Sequence, residues 1–384
     1  CAVVTGWSYI HGVASALDTL CSQSYTSGKI IMVGVYLQRG VIISLLGFLP
    51  FACLWWEAEQ VFKLIGQDPK ISAQAGLYLK YLLFGAPAFL LFENLKRYLQ
   101  AQGLTFMLVL YKPTSLGLIG APISMAITYW LMFIFLAIYT KFINGYQAWG
   151  GLSRAAFYGW KRFLTLAIPG VLMVCSEWWS FEFISLLSGY LGEISLATQG
   201  IILTTANLLY QIPYGFSVAA SARIGNLLGA GMIERAKTAS KFSMQLAATI
   251  ALLNATIYVH LGRRCSQAYV LCLTIPDCLN CVGLGVLRGK GRQNIGACLT
   301  VTGYLIIGLP TGILVGFNLG FGLQGFWIGA MTSSLAICIT LSIIIWGTNW
   351  QRQLDKCKER MKIDRDRFEA DVKSANLVNN CNVM

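Results

Sequence analysis

Four carboxylates stand inside long apolar stretches of this chain: Asp18, Glu177, Glu182 and Asp277. A charged group in the middle of a membrane costs at least about 2.5–3.5 kcal/mol on insertion scales, so acids in such places are candidates for function. Glu177 and Glu182 flank Trp178 and Trp179 in one run. Five residues along a helix turn by roughly 500°, which leaves the two carboxylates about 140° apart, bordering a wide cavity without forming a close pair. Such a carboxylate can be neutralised by a proton, or it can hold an organic cation whose binding is strengthened by indole or phenol faces. The two states exclude each other, so proton entry would release the cation, and that exchange is the chemistry of an antiporter. Glu93 is read differently, because Lys96 and Arg97 follow it at i+3 and i+4 as local ion-pair partners.

Other chemistry finds little support. His11 and His260 are the only histidines, and Cys278-x-x-Cys281 lies in an apolar run, so neither a metal nor a redox centre is expected. No Ser/His/Asp or Cys/His constellation suggests an enzyme. Gly283-x-Gly285-x-x-x-Gly289-x-Gly291 lacks the spacing and the preceding strand of a nucleotide loop.

The acids need helices to position them. The chain has 384 residues, 56% of them hydrophobic and only 12% charged, about half the charge of an ordinary soluble domain. Spans of membrane-crossing character occur at Val3–Leu20, Val41–Trp56, Ala75–Phe92, Ile119–Tyr139, Phe163–Leu191, Gln199–Ala220, Phe242–Leu261, Ala268–Leu287, Ala297–Phe317 and Leu323–Trp346. Leu104–Tyr111 is a stub reaching about 12 Å, against a hydrocarbon core of about 30 Å. Pro169 and Pro213 interrupt the hydrogen bonding of their spans and are candidate hinges.

Alternate joints between spans differ in charge. One set carries fifteen Lys and Arg, among them Arg39, Arg97, Lys237, Lys241, Arg288 and Lys290, and the other six. The richer set, and with it the tail, is assigned to the cytoplasm, an alternation that requires the stub to count as a crossing. The net charge of +13 is therefore a topology signal, and without a compact basic patch no nucleic-acid partner is expected. In the tail, Leu354, Met361 and Phe368 recur every seven residues. An amphipathic helix is possible there, but a solvated extension beside the anionic leaflet is the preferred reading.

Two motifs repeat at nearly one offset. Ala14-Ser15-Ala16 returns as Ala220-Ser221-Ala222, and Gly117-Leu118-x-Gly120-x-x-Ile123 as Gly322-Leu323-x-Gly325-x-x-Ile328. A duplicated half of about 200 residues follows, a plan used by transporters. Small-residue helix packing would leave similar traces.

Several segments together resemble the eukaryotic branch of the multidrug and toxic compound extrusion (MATE) family. They are Ala16-Leu-Asp-Thr-Leu-Cys21-Ser-Gln23, Gly34-Val-Tyr-Leu-Gln-Arg39, Gly66-Gln-Asp-Pro69, Glu177-Trp-Trp-Ser-Phe-Glu182, the run from Pro213 to Gly231, and Gly285-Val-Leu-Arg-Gly289. The resemblance implies an all-α membrane protein of two pseudo-symmetric bundles of nominally six helices. Residues 1–150 would form the first bundle, 151–348 the second and 349–384 a charged cytoplasmic tail. It also implies alternating access and export of small, often cationic compounds in exchange for H⁺, with Na⁺ the less favoured coupling ion and no other cofactor.

By the same resemblance Glu177, Glu182, Asp277 and Asp18 match the family's functional acids, while another family acid falls on Thr204, where Asn207 could substitute. Trp178, Trp179, Tyr210 and Gln23 complete the expected cavity. The chain would work as a monomer in the plasma membrane or a vacuolar-type membrane of a eukaryote. Against the family pattern the first helix is absent, the fifth is the stub, and the stretch from His260 to Ala268 is short. A non-functional or partner-dependent fragment therefore stays open, as does an exporter or flippase of lipid-linked substrates on a related fold.

Overall fold

The computed structural model describes residues 2–64, 69–104, 117–261 and 268–362. The Leu104–Tyr111 stub beyond Leu104, most of the Gly66–Pro69 joint, the short connection before Ala268, and Phe368 lie outside the described residues. Everything regular among the described residues is helical. A π-helical turn, Val3–Trp7, leads into α1 (Ser8–Thr26), followed by α2 (Ile30–Trp56), α3 (Ala58–Leu64), α4 (Pro69–Leu83), α5 (Ala86–Ala101) and α6 (Gly117–Phe142). Then come α7 (Trp160–Tyr190), α8 (Glu193–Gly229), α9 (Ile233–Leu261), α10 (Ala268–Lys290), α11 (Gln293–Thr300), α12 (Leu309–Ile313) and α13 (Leu323–Trp346), with π-helical turns on either side of α12. A last helix, α14, covers 350–362.

All ten sequence spans are helical, but they are unequal. Among the described residues five helices are long and apolar enough to cross a membrane unaided, and a bent pair would make six. The polarity of α1 explains its place outside that set. Its Ser15, Thr19, Ser22 and Gln23 point into the bundle and are fully buried, with Ser15 and Ser22 donating to carbonyls of their own helix. The lipid-facing polarity is the reverse: Leu46, Leu49, Ile339 and Ile343 are each half exposed or more, an apolar surface that only a non-aqueous neighbour tolerates. The expected span Ala75–Phe92 is not one straight helix. It bends by 50° between α4 and α5, where Phe84-Gly85 breaks the helix and Pro87 enters α5 in its first turn.

The chain divides into two compact units, Cys1–Ala167 and Ile168–Met384. The division falls inside α7, later than the sequence boundary at 150. Within the first unit, α1 packs on α2 and α5, and α5 on α6; within the second, α8 packs on α9 and α10, and α10 on α13. The same pattern of neighbours in each unit fits the repeated motifs, which sit on α1 and α8 and on α6 and α13.

Helix α10 approaches α8 backbone to backbone. A methyl group on Gly285 would meet the Ser217 carbonyl at 2.3 Å, and one on Gly289 the Ser221 carbonyl at 2.6 Å. The glycine row that is no nucleotide loop is thus a close helix contact. Both helices end alike: Gly231 and Gly291 take positive φ, and the next residue's N–H reaches back five residues, Met232 to Leu227 and Arg292 to Leu287, at 2.9 Å each.

The tail differs from the preferred sequence reading. Instead of a solvated extension, α14 lies on the second unit: Leu354, Cys357 and Met361 are at 5% exposure or less, and Cys357 and Met361 share one cluster with Leu341, Ile345 and Leu287. Positions 354, 357 and 361 share a helix face, and burying that apolar stripe outweighs its solvation. The Lys290 ammonium, fully buried, sits 4.2 Å from the Trp350 ring centroid and donates to Thr348 Oγ1. Arg360 donates to the Lys290 carbonyl at 3.1 Å.

Candidate functional site

Helices α7, α8 and α10 bring three of the singled-out side chains together in the second unit. Tyr210 of α8 hydrogen-bonds Glu177 of α7, and Asp277 of α10 lies near enough to feel the charge of Glu177. Cys281, one turn beyond Asp277, is hydrogen-bonded to Tyr210, and Tyr304 borders the same acids. Arg288 supplies positive charge from further along α10, but its guanidinium is committed to Ser217 Oγ at 2.8 Å. Among the described residues no cation lies within ion-pair distance of Glu177 or Asp277.

Local sequence explains the arrangement. Glycines 285 and 289 draw α10 against α8, and Ser217 locks the contact by donating to the Cys281 carbonyl while accepting from Arg288. Pro276 immediately precedes Asp277 inside α10, so one backbone carbonyl a turn earlier has no helical donor beside the acid. Pro169 and Pro213 lie within α7 and α8, and both helices run on through them.

Glu182 does not join this group. Its position five residues past Glu177 turns it away, it is half buried, and no hydrogen bond or ion pair engages it among the described residues. Trp178 is half buried and Trp179 is 39% exposed. Thr204 and Asn207 lie exposed on α8, with the Thr204 hydroxyl turned back to the Gly200 carbonyl. Tyr210 stacks near Tyr214, with ring centroids 6.3 Å apart.

The first unit treats its acids otherwise. Asp18 accepts from Arg97 at 2.5 Å, both side chains being almost wholly enclosed. Glu93 pairs with Lys96, as its spacing suggested, and lies 3.9 Å from Arg97. It also has His11 Nδ1 at 3.2 Å, a partner 82 residues away in sequence that spacing could not reveal. Gln23 is enclosed in the same unit.

Sequence reasoning missed Arg288, Tyr304 and Cys281 as members of the site. Arg288 had been counted among joint charges, yet it is 6% exposed. Arg39, Arg97 and Lys290 share that fate, so part of the charge asymmetry is structural. Cys278 and Cys281 are free thiols, the former within reach of Asn254 Nδ2 at 3.7 Å.

The MatE family model matches residues 2–126 and 169–268. An uncharacterized transporter of Schizosaccharomyces pombe is 36% identical over 391 residues, covering 92% of this chain and 72% of that protein. Multidrug and toxin extrusion protein 1 of Xenopus tropicalis is 33% identical over 391 residues, covering 93% and 68%. The crystal structure of the eukaryotic MATE transporter AtDTX14 superposes with a TM-score of 0.84 at 30% identity, covering 94% of this chain and 88% of that one. With its two helical units, its lipid-facing apolar surface and its buried acids, the chain is a multi-pass membrane protein that belongs to the MATE family of transporters.

Proposed function

We propose that the protein exports small, often cationic organic compounds in exchange for protons, by alternating access. The observation that carries this reading is the meeting of Glu177, Tyr210 and Asp277 on three helices with no paired cation among the described residues. Two carboxylates in one low-dielectric place must be neutralised, and protons or an organic cation can each do so while excluding the other. Tyr210 gives Glu177 a hydrogen-bond donor in its ionised state. Trp178, Trp179, Tyr214 and the polar face of Thr204 and Asn207 supply ring and amide surface for the cation, with Glu182 a second acid along α7. Asp18, already neutralised by Arg97, has a structural role. The excess of basic joints favours a cytoplasmic α14, and H⁺ is the coupling ion.

The test is uptake of a fluorescent organic cation by proteoliposomes under an imposed pH gradient, for wild type, Glu177→Gln, Asp277→Asn and Glu182→Gln. Wild-type uptake that collapses with the proton gradient and is lost in the first two variants is expected. Uptake indifferent to the gradient, or unchanged in Glu177→Gln, would overturn the mechanism.

A further inference from the structure

A cavity of about 580 Å³ opens in the second unit between the first turns of α9, the end of α13 and the start of α14. It is separate from the carboxylate site. Lys237 and Lys241 project into it from one face of α9, at i and i+4, and Glu234 stands at the same end. Among the described residues neither ammonium has a carboxylate within 4 Å, although Lys241 lies 5.9 Å from the Trp346 ring. Between them Ser240 also faces the cavity. It is 1% exposed and its Oγ has no hydrogen-bond partner in the protein, which leaves a buried hydroxyl for a ligand to engage. Trp346 and Trp350 complete the wall.

Two ammonium groups and an unused hydroxyl at the floor of one cavity describe a receptor for a phosphate. The rim describes the rest of the ligand. Phe242, next to Lys241 in α9, and Ile343 and Trp346 of α13 are apolar side chains more than 60% exposed on two of the helices that border the cavity. A free anion has no use for such side chains, whereas acyl chains would cover them. We propose that this cavity binds the headgroup of an anionic phospholipid, with the phosphate between Lys237, Lys241 and Ser240 and the tails along Phe242, Ile343 and Trp346. Basic pockets between membrane helices are suited to such lipids. Because α14 forms one wall, the bound lipid joins α9, α13 and α14. With α14 on the cytoplasmic side, as proposed above, that lipid comes from the inner leaflet.

Native mass spectrometry of the full chain, released from detergent with phosphatidic acid or phosphatidylcholine, tests it without requiring transport, so its failure would leave the antiport reading standing. Wild type should retain phosphatidic acid in preference to phosphatidylcholine, and raised salt should weaken that preference. Lys237→Gln/Lys241→Gln should weaken retention roughly 30-fold, while Lys237→Arg/Lys241→Arg keeps it, separating charge from folding. Ser240→Ala should lose retention several-fold with an unchanged unfolding midpoint. Equal retention of the two lipids, indifference to the glutamine pair, or displacement by equimolar inorganic phosphate would overturn it.

Discussion

The Arg97 guanidinium and the Asp18 carboxylate meet at 2.5 Å between α5 and α1, each at 4% side-chain exposure or less. With Lys96 and His11 on Glu93 beside them, Asp18 and Glu93 of the first unit are held by fixed partners. Glu177 and Asp277 in the second unit are not. The same residue type thus serves cohesion in one unit and, on our reading, exchange in the other.

Breaking the pair on one side leaves a buried charge without its nearest counter-ion. Asp18→Asn and Arg97→Gln should each cost about 3–5 kcal/mol, and Asp18→Leu/Arg97→Met less than the sum of the two. Thermal unfolding of purified protein in detergent measures this. Retained stability in Asp18→Asn together with lost transport would return Asp18 to the coupling machinery.

Tyr210→Phe removes only the hydroxyl, which bonds Glu177 and Cys281. A hydrogen bond to a charged group is worth about 1.5–3 kcal/mol, so initial uptake should fall roughly tenfold or more while the unfolding midpoint holds. Uptake at the wild-type rate would separate Tyr210 from the mechanism.

Gly285→Val drives a branched side chain into the Ser217 carbonyl, where even a methyl group lies at 2.3 Å. A loss of about 1–3 kcal/mol is expected, with α8 and α10 forced apart. Gly200→Ala, on α8 with open space around it, is the control and should be neutral or slightly stabilising. Equal midpoints for the two variants would show that the helices do not need their close contact.

The docked tail predicts that Leu354→Ala and Met361→Ala each cost about 2–5 kcal/mol, whereas exposed Gln351→Ala costs little. Hydrogen exchange across 350–362 should rise in both core variants. No change there would mean that α14 is held by the contacts of Trp350 and Arg360 with Lys290 alone.

Hydropathy is a local property, and the ten helical spans were legible for that reason. So were the four acids, because an ionisable group stands out in an apolar run. Long-range pairing was not legible: nothing near Asp18 announces Arg97, 79 residues later, nor does Ser217 announce Arg288. Arg288 and Lys290 read as topology charges because sequence cannot tell a basic residue at a membrane face from one folded under a neighbouring helix. The sevenfold spacing of Leu354 and Met361 showed the stripe but not its cover. That cover comes from residues of α10 and α13 more than sixty and about ten positions earlier in the chain, such as Leu287 and Ile345. The 50° bend had a visible cause in Phe84-Gly85-Ala86-Pro87, which an average over twenty residues smooths away.

The seating of α14 has a practical side. Its inner face is fixed to Leu287 of α10 and to Leu341 and Ile345 of α13, while Gln351 and Arg352 lie exposed. A dye or spin label placed there is coupled to both helices through the packed inner face of α14. Any displacement of α10 or α13 during a transport cycle is therefore readable at the surface as a change in label distance, with no probe placed among the functional acids.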